Sequence, residues 1–203
     1  MGYDVNLVPK TRNENILSKI YDCKNKQERS FLTRNFAMFQ SRNFENCELE
    51  QVEKLLDIDL SVYTKYPVNF VFESDELEYR LFKAEENKNK REIIRIKEEI
   101  EEERKKWEES YDQINDGWAR ISEFKKVTED FIDRMKQKPD FGEKIVPPIN
   151  WKYDWDSYFS LTPRTNRSNT RLIDDLKIVL NQLVCIKEQG IEYVALLWSI
   201  IKN

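Results

Sequence analysis

The residues best suited to recognition chemistry lie in "WKYDWDSYFS", residues 151–160, where five aromatic rings stand among two acids. Trp151, Tyr153 and Trp155 alternate with Lys152, Asp154 and Asp156, the period of an extended chain. Trp155, Tyr158 and Phe159 then fall at helical spacing, so the segment reads as an extended approach entering a short helix capped by Asp154 or Asp156. Trp and Tyr dominate protein-binding hot spots, and acids steer basic partners. Trp151, Tyr153, Asp154, Trp155, Asp156 and Tyr158 are therefore the candidate partner-binding residues. The competing reading is burial, in which the rings clasp a linker onto the core.

A second constellation is "PRTNRSNTR", residues 163–171. Arg164, Arg167 and Arg171 beside the start of a helix offer cations and unpaired N–H groups to a phosphate or carboxylate. Ser168, Asn169 and Thr170 also suit plain capping, and Asp174 and Asp175 would compete with an anion. The carboxylate pairs Asp57/Asp59 and Asp154/Asp156 could hold a divalent cation. An i,i+2 pair is a weak signal, since metal sites draw ligands from distant segments. No metal ligand, cofactor or catalytic residue is assigned.

Composition narrows the field further. The chain has no histidine, which removes Ser-His-Asp and Cys-His nucleophiles, HExxH zinc sites and histidine bases together. Four glycines form no phosphate loop. The three cysteines, Cys23, Cys47 and Cys185, are widely spaced without a CxxC pair, so neither a disulfide framework nor a zinc site is expected. The first residues lack the apolar core of a signal peptide, and no apolar run reaches the ~20 residues of a membrane span. These features place the protein in a reducing cytoplasm, away from membranes. A net charge of −4 argues against general nucleic-acid binding.

The elements that must position these residues read as mainly α with a minor β component (α+β). A short strand at 3–8 precedes a helix opened by a Thr11/Glu14 capping box. Helices follow at 27–40 and 46–57, then a strand at 67–73. Residues 75–137 hold 19 acids and 15 bases with apolar positions at three- and four-residue steps, a coiled-coil flavour. They are expected to form a long charged antiparallel helical hairpin. Its tip falls in either "EENKNKRE" or "NDG", and the acid-rich run at 98–109 reads as a solvated helix face. Residues 138–150 read as a linker and 172–186 as an amphipathic helix ended near Gly190. Residues 191–203 fit a helix, with β-branched and aromatic content that also allows a strand. The corresponding division is 1–74, 75–137 and 138–203.

The function expected from this pattern is a non-catalytic interaction protein that neutralises a protein partner, as an inhibitor or immunity-type protein does. The alternatives are a divalent-metal carboxylate enzyme acting on phosphodiesters, with the arginines of 164–171 on substrate, and a homodimeric coiled-coil scaffold built on 75–137.

Overall fold

A computed structural model describes residues 2–26, 32, 36, 39, 47–67, 74–146, 158–159 and 169–201. It is mainly helical with a small antiparallel sheet, and it divides into two units. One comprises residues 1–66 and 118–203, the other residues 67–117.

The larger unit is organised by its sheet, in the order β1-β3-β2. Strand β1 (Gly2–Pro9) pairs antiparallel with β3 (Tyr193–Ile201), Val5 lying opposite Trp198 and Pro9 opposite Val194. The two-residue strand β2 (Ala119–Arg120) borders β3 on its other side. The helix favoured for 191–203 is thus replaced by a strand. Val194 to Leu197 are all buried, the continuous apolar run of a central strand covered on both faces, and such a run has no period to separate strand from helix.

Helix α1 (Glu14–Asn25) starts at Asn13, whose side chain accepts from the Asn15 and Ile16 N–H groups. Thr11 is not the cap, as the capping box requires; its hydroxyl accepts instead from Asn13 N–H. Helix α2 (Glu48–Leu56) buries Leu49, Val52 and Leu56, and Asp57 ends it in the left-handed region at φ 53°. The last carbonyls of α2 are satisfied from elsewhere. Arg134 donates to Leu56 O at 2.8 Å and Lys138 to Leu55 O at 3.1 Å.

Most of the helix expected at 27–40 lies outside the described residues. Leu32, Phe36 and Phe39 are within them and buried. Of the strand expected at 67–73, residues 68–73 lie outside.

The core is aromatic. Phe39 stacks on Phe131 at 6.1 Å, and Tyr63 meets Phe124 edge-on at 4.9 Å. Tyr63 bonds Thr128 Oγ1 at 2.7 Å, and the Thr128 hydroxyl in turn donates to Phe124 O at 2.8 Å. Phe124, Thr128 and Phe131 all belong to α5 (Ile121–Gln137), so this helix is a wall of the core. The apolar steps through Ile114, Trp118 and Ile121 do not continue the charged helix but cross a turn at Asp116–Gly117, where Gly117 takes φ 75°. Residues 118–137 belong to the larger unit. Residues expected as linker are also partly anchored. Phe141 and Ile145 are buried, and Gln51 bonds both the N–H and the C=O of Val146 at 2.8 Å.

Helix α6 (Asn169–Lys187) buries Leu172, Leu176, Val179, Leu183 and Ile186 in the same core. It is tied to α1 by a disulfide between Cys23 and Cys185, 162 residues apart. This overturns the expectation of unpaired cysteines. Spacing reveals a bridge only where neighbouring cysteines form a recognisable framework, and this one joins two helices brought together by folding. Cys47 is buried outside the bridge.

In the smaller unit, α3 (Asp75–Glu86) and α4 (Lys90–Gln113) are joined by a turn at Asn87–Asn89, with Lys88 at φ 52°. Asn89 caps α4 by accepting from Glu92 N–H at 3.3 Å. Leu77, Ala84 and Ile96 form a separate apolar cluster flanked by Leu81, Ile93 and Ile100. Arg80 spans to Glu99 through two hydrogen bonds of 3.4 and 3.1 Å.

A bridge closing so long a loop restricts the unfolded chain strongly. The double variant Cys23→Ser/Cys185→Ser is expected to lose about 2–5 kcal/mol of unfolding free energy, read from urea midpoints of protein purified without reductant. Equal midpoints would show that the bridge contributes nothing.

Candidate functional site

The sequence-selected residues divide sharply. Tyr158, offered as a partner-binding residue, is 1% exposed and belongs to the core, where its ring meets Phe39 edge-on at 6.0 Å. Its hydroxyl donates to Asp175 Oδ2. Asp175, expected as a dipole-favouring acid in the first turn of α6, is fully buried and serves instead as this acceptor. The Tyr158 and Phe159 N–H groups point to the two carboxylate oxygens of Glu48, each at 3.4 Å. Glu48 is also buried, at the start of α2, so one carboxylate gathers two backbone donors from a distant segment. Tyr158 and Phe159 are therefore a clasp, held by rings and by two buried carboxyl groups. Trp151, Tyr153, Asp154, Trp155 and Asp156 lie outside the described residues.

Arg171 is exposed near the start of α6, and Arg164 and Arg167 lie outside the described residues. Of the carboxylate pairs, Asp57 ends α2 and Asp59 accepts from Ser61 N–H at 2.8 Å. Both acids thus serve local turns. Among the described residues no cluster of three or more metal-ligating side chains occurs.

Two features that sequence reasoning did not select emerge on the surface. The first belongs to the smaller unit. Tyr79 and Phe82 on α3 are 62% and 53% exposed, and Ile94 on α4 is 59% exposed. Lys83 Nζ lies over the Tyr79 ring at 5.8 Å and over the Phe82 ring at 5.5 Å, while bonding Glu86 at 2.8 Å. The aliphatic stem of this lysine and the two rings make one amphipathic patch. Around it the charge is strongly negative. Residues 67–117 hold 16 acids against 10 bases, a net of −6, while the whole chain is −4. A charge count confined to this unit would have found the asymmetry, whereas the 75–137 count diluted it with α5.

The second feature is a groove of about 370 Å³ in the larger unit, lined by Pro9, Leu17, Ser18, Ile20, Tyr21 and Lys24. Helix α1 turns Ile16 and Ile20 to the core and carries Cys23 to its bridge. Leu17, Tyr21 and Lys24 form the adjacent stripe, which faces the groove. Lys24 Nζ donates to Leu7 O on β1 at 2.8 Å, and burial lowers its pKa from 10.5 to about 8. The apolar character of Leu17 and Tyr21 is plain in the sequence. What places Lys24 beside them in low dielectric is the packing of α1 against β1.

No helix among the described residues is long and apolar enough to cross a membrane. Comparison with known protein families, with curated proteins and with solved structures finds no match.

Two measurements probe these assignments. Tyr158→Phe removes a donor from a buried carboxyl group and is expected to cost about 2 kcal/mol of stability; an unchanged urea midpoint would contradict the clasp. For Lys24, the folded protein releases its proton near pH 8 while the unfolded chain holds it to about 10.5. Between these values the unfolded state binds more protons, so stability rises with pH through this window. Relative to Lys24→Met, the wild type should gain stability from pH ~8 to ~10.5. Parallel profiles for the two proteins would refute the burial of this ammonium.

Proposed function

We propose that this protein is a non-catalytic interaction protein whose acidic unit, residues 67–117, docks on a basic surface of a protein partner. Blocking that surface is the action of an inhibitor or immunity-type protein. The observation that carries the reading is the exposure of Tyr79 and Phe82, joined through Lys83, in a unit whose net charge is −6. Aromatic anchors supply binding energy when a partner covers them, and the acids accelerate and orient encounter with a cationic surface. The α3–α4 pair acts as an antiparallel helical hairpin that presents this patch on a rigid backbone.

The competing readings draw less support. A homodimeric coiled coil needs an apolar seam, and Ile93, Ile96 and Ile100 are used within the unit against Leu77, Leu81 and Ala84. The acids that a metal enzyme would recruit at Asp57 and Asp59 serve turns instead. The absence of histidine removes the side chain whose ordinary pKa best suits acid–base work near neutral pH.

The test is stoichiometric capture from the source cells, comparing wild type with the Tyr79→Ala/Phe82→Ala/Ile94→Ala variant. A single basic protein is expected, retained by the wild type, eluted by moderate salt and lost from the variant. A partner held equally by both would place the interface elsewhere. A recovered partner of acidic character would overturn the electrostatic part of the reading.

A further inference from the structure

We propose that the groove between α1 and the end of β1 binds a small amphiphilic carboxylate, its apolar tail along Leu17, Ile20, Tyr21 and Pro9 and its head on Lys24. The groove has the volume of a small-molecule site, about 370 Å³, and its lining is apolar apart from Ser18 and the lysine. An ammonium in such a place is expensive unless its donors are used and its charge is matched. Lys24 has three N–H donors. Among the described residues the Leu7 carbonyl accepts one of them, and no carboxylate pairs with the charge. Among the described residues the site therefore holds no anion, and its walls favour one that carries hydrocarbon.

The surrounding structure explains why this cation is held ready. Helix α1 cannot rotate to release Lys24 into water, since Ile20 is buried in the core and Cys23 is bonded to Cys185. The lysine is also anchored at Leu7 O on β1. Its pKa of about 8 leaves most molecules protonated at neutral pH, so the charge is present for an incoming anion. A carboxylate at Nζ would satisfy a further donor and neutralise the half-buried charge, while a neutral amphiphile of the same length would gain from the walls alone. The discrimination is therefore electrostatic and belongs to a single side chain.

Decanoate and decanol, matched in tail and different in head, are the probes, followed by backbone amide shifts of the isotope-labelled full chain. Decanoate is expected to saturate below its micelle concentration, with shifts centred on α1 and the residues after Pro9. It should bind about tenfold or more tighter than decanol. Lys24→Met should weaken decanoate by a similar factor and leave decanol unchanged, and Lys24→Arg should retain the preference. Because Lys24→Met also removes the bond to Leu7 O, Leu17→Asp provides a second variant at a partly exposed position. It should repel decanoate while the amide spectrum keeps its folded dispersion. Failure of decanoate to saturate, equal binding of the two probes, or full decanoate affinity in Lys24→Met would each overturn the assignment.

Discussion

The pairing of β1 with β3 is the constraint on which the larger unit depends. It joins Gly2–Pro9 to Tyr193–Ile201, so nearly the whole chain lies between two strands that must find each other. Closing a loop of that length costs entropy before any contact rewards it. The pairing is sustained by side chains on both strands. Val5 and Leu7 of β1 and Val194 and Leu196 of β3 enter one core with α5 and α6. The disulfide closes nearly the same loop a second time, covalently, between helices that flank the sheet.

Within that closure, polar groups do the specifying. Apolar rings such as Phe36, Phe39, Phe124 and Phe131 supply burial, and rings of similar size could repack among themselves. Glu48 and Asp175 cannot be moved so freely. Each is a buried carboxyl group whose oxygens are matched to donors of Tyr158 or Phe159, and a shift of one residue would leave them without those donors. Tyr63 and Thr128 fix the register of α5 in the same way. The burial of Tyr63 pushes its phenol well above the usual tyrosine range, so it remains a neutral donor at any ordinary pH. Where Tyr158 is concerned, recognition and architecture look alike in sequence, because both use rings and acids.

The two units differ in how they use charge. On α3 and α4 the charges lie on helix surfaces, paired locally as in Arg80–Glu99 and Lys83–Glu86, and the apolar cluster is small. Exposed pairs of this kind contribute little to stability individually, so their significance is in the field they create. The Glu99 hydrogen bond raises the pKa of Arg80 still further, and the guanidinium stays a fixed cation within an acidic surface. In the larger unit the corresponding feature is a single cation, Lys24, whose surroundings lower its pKa. One surface advertises charge to solvent and the other withholds it.

Much of this was legible from local pattern. The amphipathic stripes of α1, α2 and α6, the mainly helical class with a minor sheet and the breaks at Asn87–Asn89 and Asp116–Gly117 follow from periodicity and turn chemistry, which act over a few residues. Composition alone removed histidine chemistry. Tertiary structure decided the rest. It made 193–201 a strand, because a run buried on both faces takes its conformation from its neighbours. It put α5 in the core, joined Cys23 to Cys185 and buried Asp175 and Tyr158, since each of these depends on segments far apart in sequence. It also placed Lys24 in an apolar groove, and no spacing within α1 can encode the dielectric that the packing of another element creates.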